Sequence, residues 1–332
     1  MKTLRTAIIG CGNFARQHAL TLSKLENIAL VGFCDIDENR AHAFNQEFAQ
    51  NTGTVFTDYK PLFSKLDLDL AYICLPPFAR ENEVQLACEH GVNLFIEKPI
   101  ALNMALAESM AKWVRESDIK CQVGFKYRFG RAARWLKSYL QDQKNESHGF
   151  MVASYACNSL HAEWWRRREL SGGQLVEQVI HLLDISRFFL GNPVEVFSLQ
   201  DNLFHKDIPD YSIEDASITT IRFDSGSMAA ITATNGAIPN KWAYGWKMYT
   251  KELTADFSDP NHAEFYHTTK EGVPTTNISA DDDLHLAESL DLIQAIYEDR
   301  EPAIPIEEGV QSLQLALMAA KSAEFGTSVK FQ

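Results

Sequence analysis

Short apolar runs alternate with segments of helical periodicity along the first 124 residues of the chain. The runs read TAIIG, IALVGFC, LDLAYICL, VNLFIEK and IKCQVGF, and the segments between them, such as FARQHALTLSKLE, carry apolar residues at roughly helical spacing. Runs that are continuously apolar, without alternation, are typical of parallel strands covered by helices on both faces. The pattern therefore predicts repeated βαβ units that form a doubly wound parallel sheet.

The rhythm changes after residue 124. The helical segment GRAARWLKSYL is followed by the strand-like GFMVASYAC and by a long helix that opens on glycines, SGGQLVEQVIHLLDISRFFLG. From Pro193 to about Tyr266 the runs are longer and richer in β-branched and aromatic residues, which favours a mainly antiparallel sheet. We therefore expect an α/β protein: a doubly wound domain over residues 1–124, then an α+β domain with a large, open, mainly antiparallel sheet over residues 125–332.

Composition narrows the classes of partner. The length of 332 residues agrees with two domains, and the net charge of −13 opposes nonspecific binding to nucleic acid or to anionic membranes. No continuous apolar stretch of about 18 residues occurs, so a cytoplasmic protein without a membrane-spanning helix is expected. The six cysteines lack CxxC spacing and the ten histidines form no HxH or HExxH motif, so we expect reduced thiols and no metal site.

The stretch RTAIIGCGNFARQH lies between a predicted strand and a predicted helix. Gly10 permits a tight turn there, Gly12 lets a pyrophosphate approach the backbone, and the small Ala15 allows close packing of strand and helix. The next strand ends in GFCDID, which places Asp35 where an acidic side chain binds ribose hydroxyls. Asp35 would repel a 2′-phosphate, so we expect NAD as the cofactor, with NADP left open because Arg40 follows closely.

The stretch FIEKPIAL delivers Glu97 and Lys98 side by side from a predicted buried strand, where unpaired charges are costly. Together with GCGNFA, FCDID, YICLPP, VGFKYRF and GGQLVEQVIHLLD, this motif resembles the Gfo/Idh/MocA family of oxidoreductases, over nearly the whole chain. The resemblance implies an NAD(P)-binding Rossmann domain and a second domain that binds substrate and forms a homodimer or homotetramer, with the active site in the cleft between the domains. It also implies hydride transfer between a nicotinamide cofactor and a hydroxyl or carbonyl of a sugar, polyol or sugar derivative.

The resemblance carries over to particular residues. Lys98 is expected to be catalytic or substrate-orienting, together with His181 and Asp184 of the second domain. The residues expected to bind the cofactor are Gly10, Gly12, Asn13, Phe14, Ala15, Asp35, Arg40, Leu75, Pro76, Glu97 and Lys98. The residues expected to bind substrate are Lys98, Tyr127, Trp165, Arg166, Glu177 and His181. Two departures bear on substrate placement: Arg80 stands where many members have a histidine, and Glu177 replaces the commoner aspartate.

Helical spacing relates three of these side chains. In VEQVIHLLDIS, the spacings of four and three residues put Glu177, His181 and Asp184 on one helix face. A histidine suits the proton transfer because its pKa lies near neutrality, and either carboxylate would fix its tautomer. On spacing alone, an exposed polar face of an amphipathic helix is an equally good interpretation.

The Glu-Lys pair also has two interpretations. Lys98 would donate to the reacting oxygen as negative charge develops there, or it would form a salt bridge at a domain edge. We expect Glu97 to pair with a nearby cation or a backbone amide. The family often has this Lys-Pro bond in cis.

The stretch HAEWWRRREL offers further substrate contacts. Trp164 and Trp165 would present apolar faces to a sugar ring, and one of Arg166, Arg167 or Arg168 would meet a carboxylate or phosphate. The alternative is ordinary packing and solvated surface.

Two other functions stay open. One is a non-catalytic, dinucleotide-binding regulator of a sugar pathway. The other is an oxidoreductase that keeps its nucleotide tightly bound and shuttles hydride between two sugars.

Overall fold

The structure is a computed structural model that describes residues 2–142 and 148–331. The chain divides into two compact units, Met1–Gly124 with Asp283–Gln311, and Phe125–Asp282 with Ser312–Gln332. This division differs from the expected continuous domain over residues 125–332, because the helix Leu284–Glu298 packs against the helix Asn13–Leu22 of the first unit.

The elements are numbered in chain order. The strands are β1 (Leu4–Ile9), β2 (Ile28–Cys34), β3 (Thr54–Phe56), β4 (Leu70–Ile73), β5 (Asn93–Ile96), β6 (Cys121–Val123), β7 (Phe150–Ala156), β8 (Pro193–Asp201), β9 (Ala216–Phe223), β10 (Met228–Thr234), β11 (Ala243–Tyr249), β12 (Leu253–Asp259), β13 (His262–His267), β14 (Thr275–Ser279) and β15 (Val329–Lys330). The helices are α1 (Asn13–Leu22), α2 (Glu38–Ala49), α3 (Lys60–Lys65), α4 (Glu83–Glu89), α5 (Met104–Arg115), α6 (Arg131–Asp142), α7 (Arg168–Ser171), α8 (Ile180–Leu190), α9 (Leu284–Glu298) and α10 (Ile306–Phe325).

The first unit contains a six-stranded sheet in the order β3-β2-β1-β4-β5-β6, with every neighbouring pair parallel. This confirms the predicted doubly wound sheet. Side chains on one face form a core with α1 and α9, in which Leu22, Leu292 and Ile293 are buried. The edge strand β3 was not predicted, since three residues are too few to show a pattern.

The second unit contains a nine-stranded sheet in the order β14-β13-β12-β11-β7-β10-β9-β8-β15. Only β7 and β10 pair in parallel among these strands, and the other pairs are antiparallel, so the prediction of a mainly antiparallel sheet is confirmed. Along β9 the buried Thr219 and Ile221 alternate with the exposed Ile218 and Thr220. Helix α8 packs on the buried face, against β7 and β10.

The predicted glycine-opened helix is interrupted. Gly172 and Gly173 both have positive φ values, 79° and 104°, and they separate α7 from a π-helical turn over Leu175–Val179 that runs into α8. Glu177 lies in the π turn, whereas His181 lies in α8. The wider π turn changes the relation between these two side chains that regular helical spacing predicts.

Within the two described ranges, every helix is too short or too polar to cross a bilayer.

Candidate active site

The glycine loop between β1 and α1 has the geometry that an anion needs. Gly10 has φ +89°, and a Cβ there would come within 2.8 Å of the Cys74 carbonyl oxygen, so only glycine fits. A Cβ on Gly12 would meet no atom within 4 Å, so the space beside this backbone is open. Helix α1 starts without a side-chain cap and without an acidic residue in its first turn. Its first amides therefore suit a pyrophosphate.

Asp35 lies directly after β2, and hydrogen bonds from two backbone amides hold its carboxylate in place. One carboxylate oxygen accepts the Cys11 backbone N–H at 2.8 Å, and the other accepts the Asp37 N–H at 2.9 Å. Each oxygen has a further lone pair for a ribose hydroxyl. The Arg40 guanidinium lies 3.3 Å from the Asp37 carboxylate, so its charge is directed to Asp37.

The other residues near this loop that are predicted to bind the cofactor differ in how deeply they are buried. Ala15 is 1% exposed and packs in the core, as its small size predicts. Asn13 and Phe14 are exposed at the start of α1, and Leu75 and Pro76 are half-buried just after β4. All of them lie at the carboxyl ends of β1 and β4, which are neighbours in the sheet. Cofactors bind at this edge in doubly wound folds.

Glu97 is buried at the end of β5 and has the kinds of partner that its charge requires. One carboxylate oxygen lies 2.7 Å from Nε2 of the fully buried His18, and the other accepts the Lys98 backbone N–H at 3.1 Å. The expected pairing is therefore confirmed. The carboxylate faces His18, and the expected contact of Glu97 with the cofactor stays a prediction. The Lys98–Pro99 bond is cis.

Lys98 lies beside the glycine loop. Its Nζ is 5.7 Å from the centroid of the Phe14 ring, and the residue is 9% exposed. The ammonium therefore lies over an aromatic face that attracts its charge. The sequence placed Lys98 and Phe14 in separate motifs, and the structure brings them together.

Arg80 has a positioning role that sequence reasoning missed. The residue is 4% exposed, and its Nη2 donates to the Leu75 carbonyl at 3.2 Å and to the Glu97 carbonyl at 2.6 Å. Burial lowers the pKa of Arg80 from its ordinary value. Arg80 thus connects the turn after β4 with the turn after β5, and no motif signals this contact.

In the second unit, His181 lies half-buried in an aromatic cluster. Tyr127, on the 3₁₀ turn Lys126–Phe129, stacks on the His181 ring with centroids 4.6 Å apart and on Tyr244 with centroids 5.1 Å apart. Phe125 contacts the imidazole edge-on at 6.1 Å. Burial raises the pKa of Tyr127, so its hydroxyl stays protonated at neutral pH. The predicted substrate residues Tyr127 and His181 are therefore in contact.

Asp184 is fully buried and forms a bidentate ion pair. Arg128 donates from Nε and Nη2 to the two carboxylate oxygens at 2.8 and 2.6 Å, and the Ser312 hydroxyl donates to one of them at 2.8 Å. Both oxygens therefore accept hydrogen bonds from other residues of the second unit, and the expected role of this carboxylate beside His181 stays a prediction. Because Asp184 is inaccessible and Glu177 is 8% exposed, the alternative of a solvated polar face is wrong for these two residues.

Glu177 accepts a hydrogen bond from the Trp165 indole at 2.9 Å. Trp165 is 2% exposed, and its expected contact with a sugar ring stays a prediction. Its ring lies 4.2 Å from that of His161, whose Nε2 is 3.0 Å from the Gln178 amide nitrogen. Trp165 therefore orients Glu177. The motif gave no signal for His161 or Gln178.

The three consecutive arginines differ in their partners. Arg167 pairs with Glu169 at 2.7 Å, and Arg168 pairs with Glu214 at 2.8 Å. Arg166 is half-buried, and its Nε has no hydrogen-bond partner within the described ranges. Arg166 is thus the one of the three whose guanidinium has a buried donor left for an anionic group.

Comparison with known proteins agrees with this geometry. Residues 4–125 match the model of an oxidoreductase family with an NAD-binding Rossmann fold, and residues 148–254 match the GFO/IDH/MocA C-terminal domain. The chain belongs to the Gfo/Idh/MocA family. This Gfo/Idh/MocA protein is therefore an oxidoreductase with an NAD-binding first unit, and its predicted family, fold class and cofactor are confirmed.

Individual relatives extend over the whole chain. Myo-inositol 2-dehydrogenase of Thermotoga maritima is 24% identical, with 99% of each chain covered, and D-glucoside 3-dehydrogenase of Escherichia coli is 25% identical, with 98% of this chain and 97% of the relative covered. The structure of levoglucosan dehydrogenase with NADH and L-sorbose superimposes with a TM-score of 0.90 over 100% of both chains, at 17% identity. This likeness shows that the Gfo/Idh/MocA fold is shared.

Proposed function

We propose that this protein transfers hydride between NAD and a secondary hydroxyl, or the matching carbonyl, of a sugar, polyol or sugar derivative. The observation that carries the proposal is the half-buried His181, held against Tyr127 in an aromatic cluster. An imidazole in this setting is oriented and can accept a proton near neutral pH. The names of the relatives, which include inositol and glucoside dehydrogenases, support the substrate class.

The proposed roles follow the chemistry of alcohol oxidation. Bound NAD⁺ supplies the acceptor for the hydride that leaves the substrate carbon. For His181 the proposed role is that of the base that takes the hydroxyl proton as the C=O bond forms. For Lys98 the proposed role is that of a hydrogen-bond donor to a substrate oxygen on which negative charge develops. Asp184 enters as a positioning residue: its ion pair with Arg128 holds the 3₁₀ turn that carries Tyr127 against α8.

Contacts on the substrate are proposed for the side chains around His181. Glu177, oriented by Trp165, accepts hydroxyl donors, and Tyr127 provides an aromatic face with a protonated phenol. Arg166 provides a donor for a carboxylate, which favours sugar acids among the candidate substrates.

A homo-oligomer is part of the proposal. The uncovered face of the nine-stranded sheet exposes Phe150, Val152, Ile218, Met228 and Tyr249, each between 38% and 53% exposed. An apolar patch of this kind supports a contact between copies of the chain. The use of NAD supports a cytoplasmic location.

An absorbance screen for NADH formation tests the function. Polyols, glycosides, aldoses and sugar acids are each offered with NAD and with NADP. We expect turnover with at least one substrate and NAD, and a loss of about 100-fold or more in kcat for Lys98→Met and for His181→Ala. Lys112→Met, on the exposed face of α5, is the matched control and keeps full activity. Tight NAD binding without turnover of any substrate would favour the regulator, and turnover only with a second sugar as acceptor would favour the hydride shuttle.

A further inference from the structure

Three side chains that can ligate a metal ion lie in the first unit, and one of them contacts Glu97 of the Glu-Lys-Pro turn. His18 of α1 and His285 and Glu288 of α9 each bring one ligand atom within 4.8 Å of the other two. His18 is fully buried and Glu288 is 1% exposed. Both helices belong to the first unit and pack on each other.

The two nitrogens of His18 have different environments. Nε2 lies 2.7 Å from a Glu97 carboxylate oxygen, which favours the neutral tautomer with the proton on Nε2 and a lone pair on Nδ1. Nδ1 is buried and has no hydrogen-bond partner in the part of the chain that the structure describes. A buried acceptor without a partner is destabilising, so this lone pair is suited to a ligand. A carboxylate on the far nitrogen is the usual support of a metal-bound histidine, because it fixes the tautomer.

Helix α9 places two candidate ligands, His285 and Glu288, close to His18. The Asp283 side chain caps the helix by accepting the His285 and Leu286 backbone N–H groups, which fixes the first turn. His285 and Glu288 are three residues apart and share a face, with His285 Nδ1 3.2 Å from the Glu288 carboxylate. The His285 ring stands edge-on to His18, with centroids 5.2 Å apart. Its side chain is 18% exposed, which gives an ion a route from solvent.

We propose that His18, His285 and Glu288 bind a divalent transition-metal ion, with Zn²⁺ as the expected occupant. Two imidazoles and one carboxylate are a ligand set that Zn²⁺ takes at about 2.0–2.2 Å, with water in the fourth position. An ion at this place would draw the three ligand atoms, which lie within 4.8 Å of one another, closer together. The ion joins α1 to α9, and it offsets the negative charge of a buried carboxylate.

The site also connects to the motif that carries Lys98. Glu97 contacts His18 through one oxygen and the Lys98 backbone N–H through the other. Glu97 therefore holds the His18 ring at the proposed metal site, and it also supports the turn after β5. No sequence motif signals this arrangement, because His18 and His285 lie near opposite ends of the chain.

Metal titration tests the proposal on the full chain, purified without a histidine tag and stripped with a chelator. Isothermal titration with Zn²⁺ is expected to show one ion bound per chain, and Co²⁺ is expected to develop visible d–d absorption. His285→Gln and Glu288→Gln each remove one ligand, and each should weaken binding by at least about tenfold. Zn²⁺ should raise the unfolding temperature of the unaltered protein by more than it raises that of either variant.

The matched control is His42→Gln. His42 forms an exposed His-Glu pair with Glu38 on α2, with the ring nitrogen 3.7 Å from the carboxylate, and its loss should leave Zn²⁺ affinity unchanged. Glu288→Gln is nearly isosteric, and NAD binding reports whether each variant is folded. The proposal is overturned if the unaltered protein binds no Zn²⁺, or if His42→Gln weakens binding as much as both ligand variants do.

Discussion

Replacing Asp184 by asparagine tests whether the buried ion pair holds the second unit together. The substitution keeps the size of the side chain but removes the charge that compensates Arg128, whose guanidinium is 8% exposed. Arg187, 3% exposed, lies 3.9 Å from the same carboxylate. The neutral amide therefore leaves two buried guanidinium groups without their shared counter-charge.

The expected cost follows from burial. Removing one partner of a buried ion pair destabilises a protein by about 3–5 kcal/mol, because the remaining charge is left without compensation in a poorly solvated place. For a domain of this size, 1 kcal/mol corresponds to about 2–4 °C in the unfolding temperature. We therefore expect Asp184→Asn to lower the unfolding temperature of the second unit by about 6–20 °C.

Tryptophan fluorescence is the appropriate assay. Trp113 lies in the first unit and the other five tryptophans lie in the second, so the signal reports mainly on the second unit. Arg131 and Asp282 provide a matched control in the same unit. Their pair has the same bidentate geometry, at 2.9 and 2.8 Å, but the two side chains are 62% and 35% exposed. Asp282→Asn should cost about 1 kcal/mol or less.

A double variant separates the pair energy from the loss of each side chain. Arg128→Met with Asp184→Leu removes both charges of the bidentate pair, and it should be more stable than Asp184→Asn, since only one buried guanidinium, that of Arg187, then lacks the Asp184 charge. If Asp184→Asn costs no more than Asp282→Asn, the argument from burial fails. If stability falls but kcat is unchanged at a temperature where both proteins are folded, the proposed positioning role of Asp184 is refuted.

Three further predictions concern individual side chains. Asp35→Asn should reduce the preference for NAD over NADP by at least about tenfold, measured as the ratio of dissociation constants, because the charge that repels a 2′-phosphate is lost. Arg166→Ala should raise KM for sugar acids by about tenfold or more and leave KM for neutral polyols unchanged, whereas the exposed Arg167→Ala should alter neither. Burial lowers the pKa of His161 from its ordinary 6.5. As the pH falls, this histidine therefore takes up its proton at a higher pH in the unfolded chain than in the folded protein. Stability of the second unit should then fall below about pH 6.5, and His161→Gln should flatten that dependence in urea titrations.

The parallel sheet was predictable because its signals are local. Each strand of the first unit except β3 overlaps one of the apolar runs, and the glycine loop lies between a strand and a helix where only glycine satisfies the φ of residue 10. The positions of Asp35 and Lys98 follow from the same pattern, since both come directly after strands whose carboxyl ends share one edge of the sheet.

The partners of charged side chains were not predictable in the same way. Helical spacing relates Asp184 to His181, but the carboxylate turns to Arg128, which lies before α6 and far from α8 in sequence. Glu97 was expected to find a cation or an amide, yet nothing in its motif identifies His18. Spacing limits which residues of one helix can meet, whereas tertiary packing decides which distant group satisfies a buried charge.

This difference explains why a family motif predicts where its residues lie in the fold more reliably than it predicts what their side chains do. Glu97 and Asp184 both lie in motifs that imply chemistry, and both use their carboxylates to hold a neighbouring residue in place: the Lys98 backbone in one case and the Tyr127 turn in the other. Each oxygen of these two carboxylates has a partner within the protein, and both groups are buried. Lys98 and His181 therefore carry the proposed chemistry, and the acidic residues of the same motifs determine the positions from which they act.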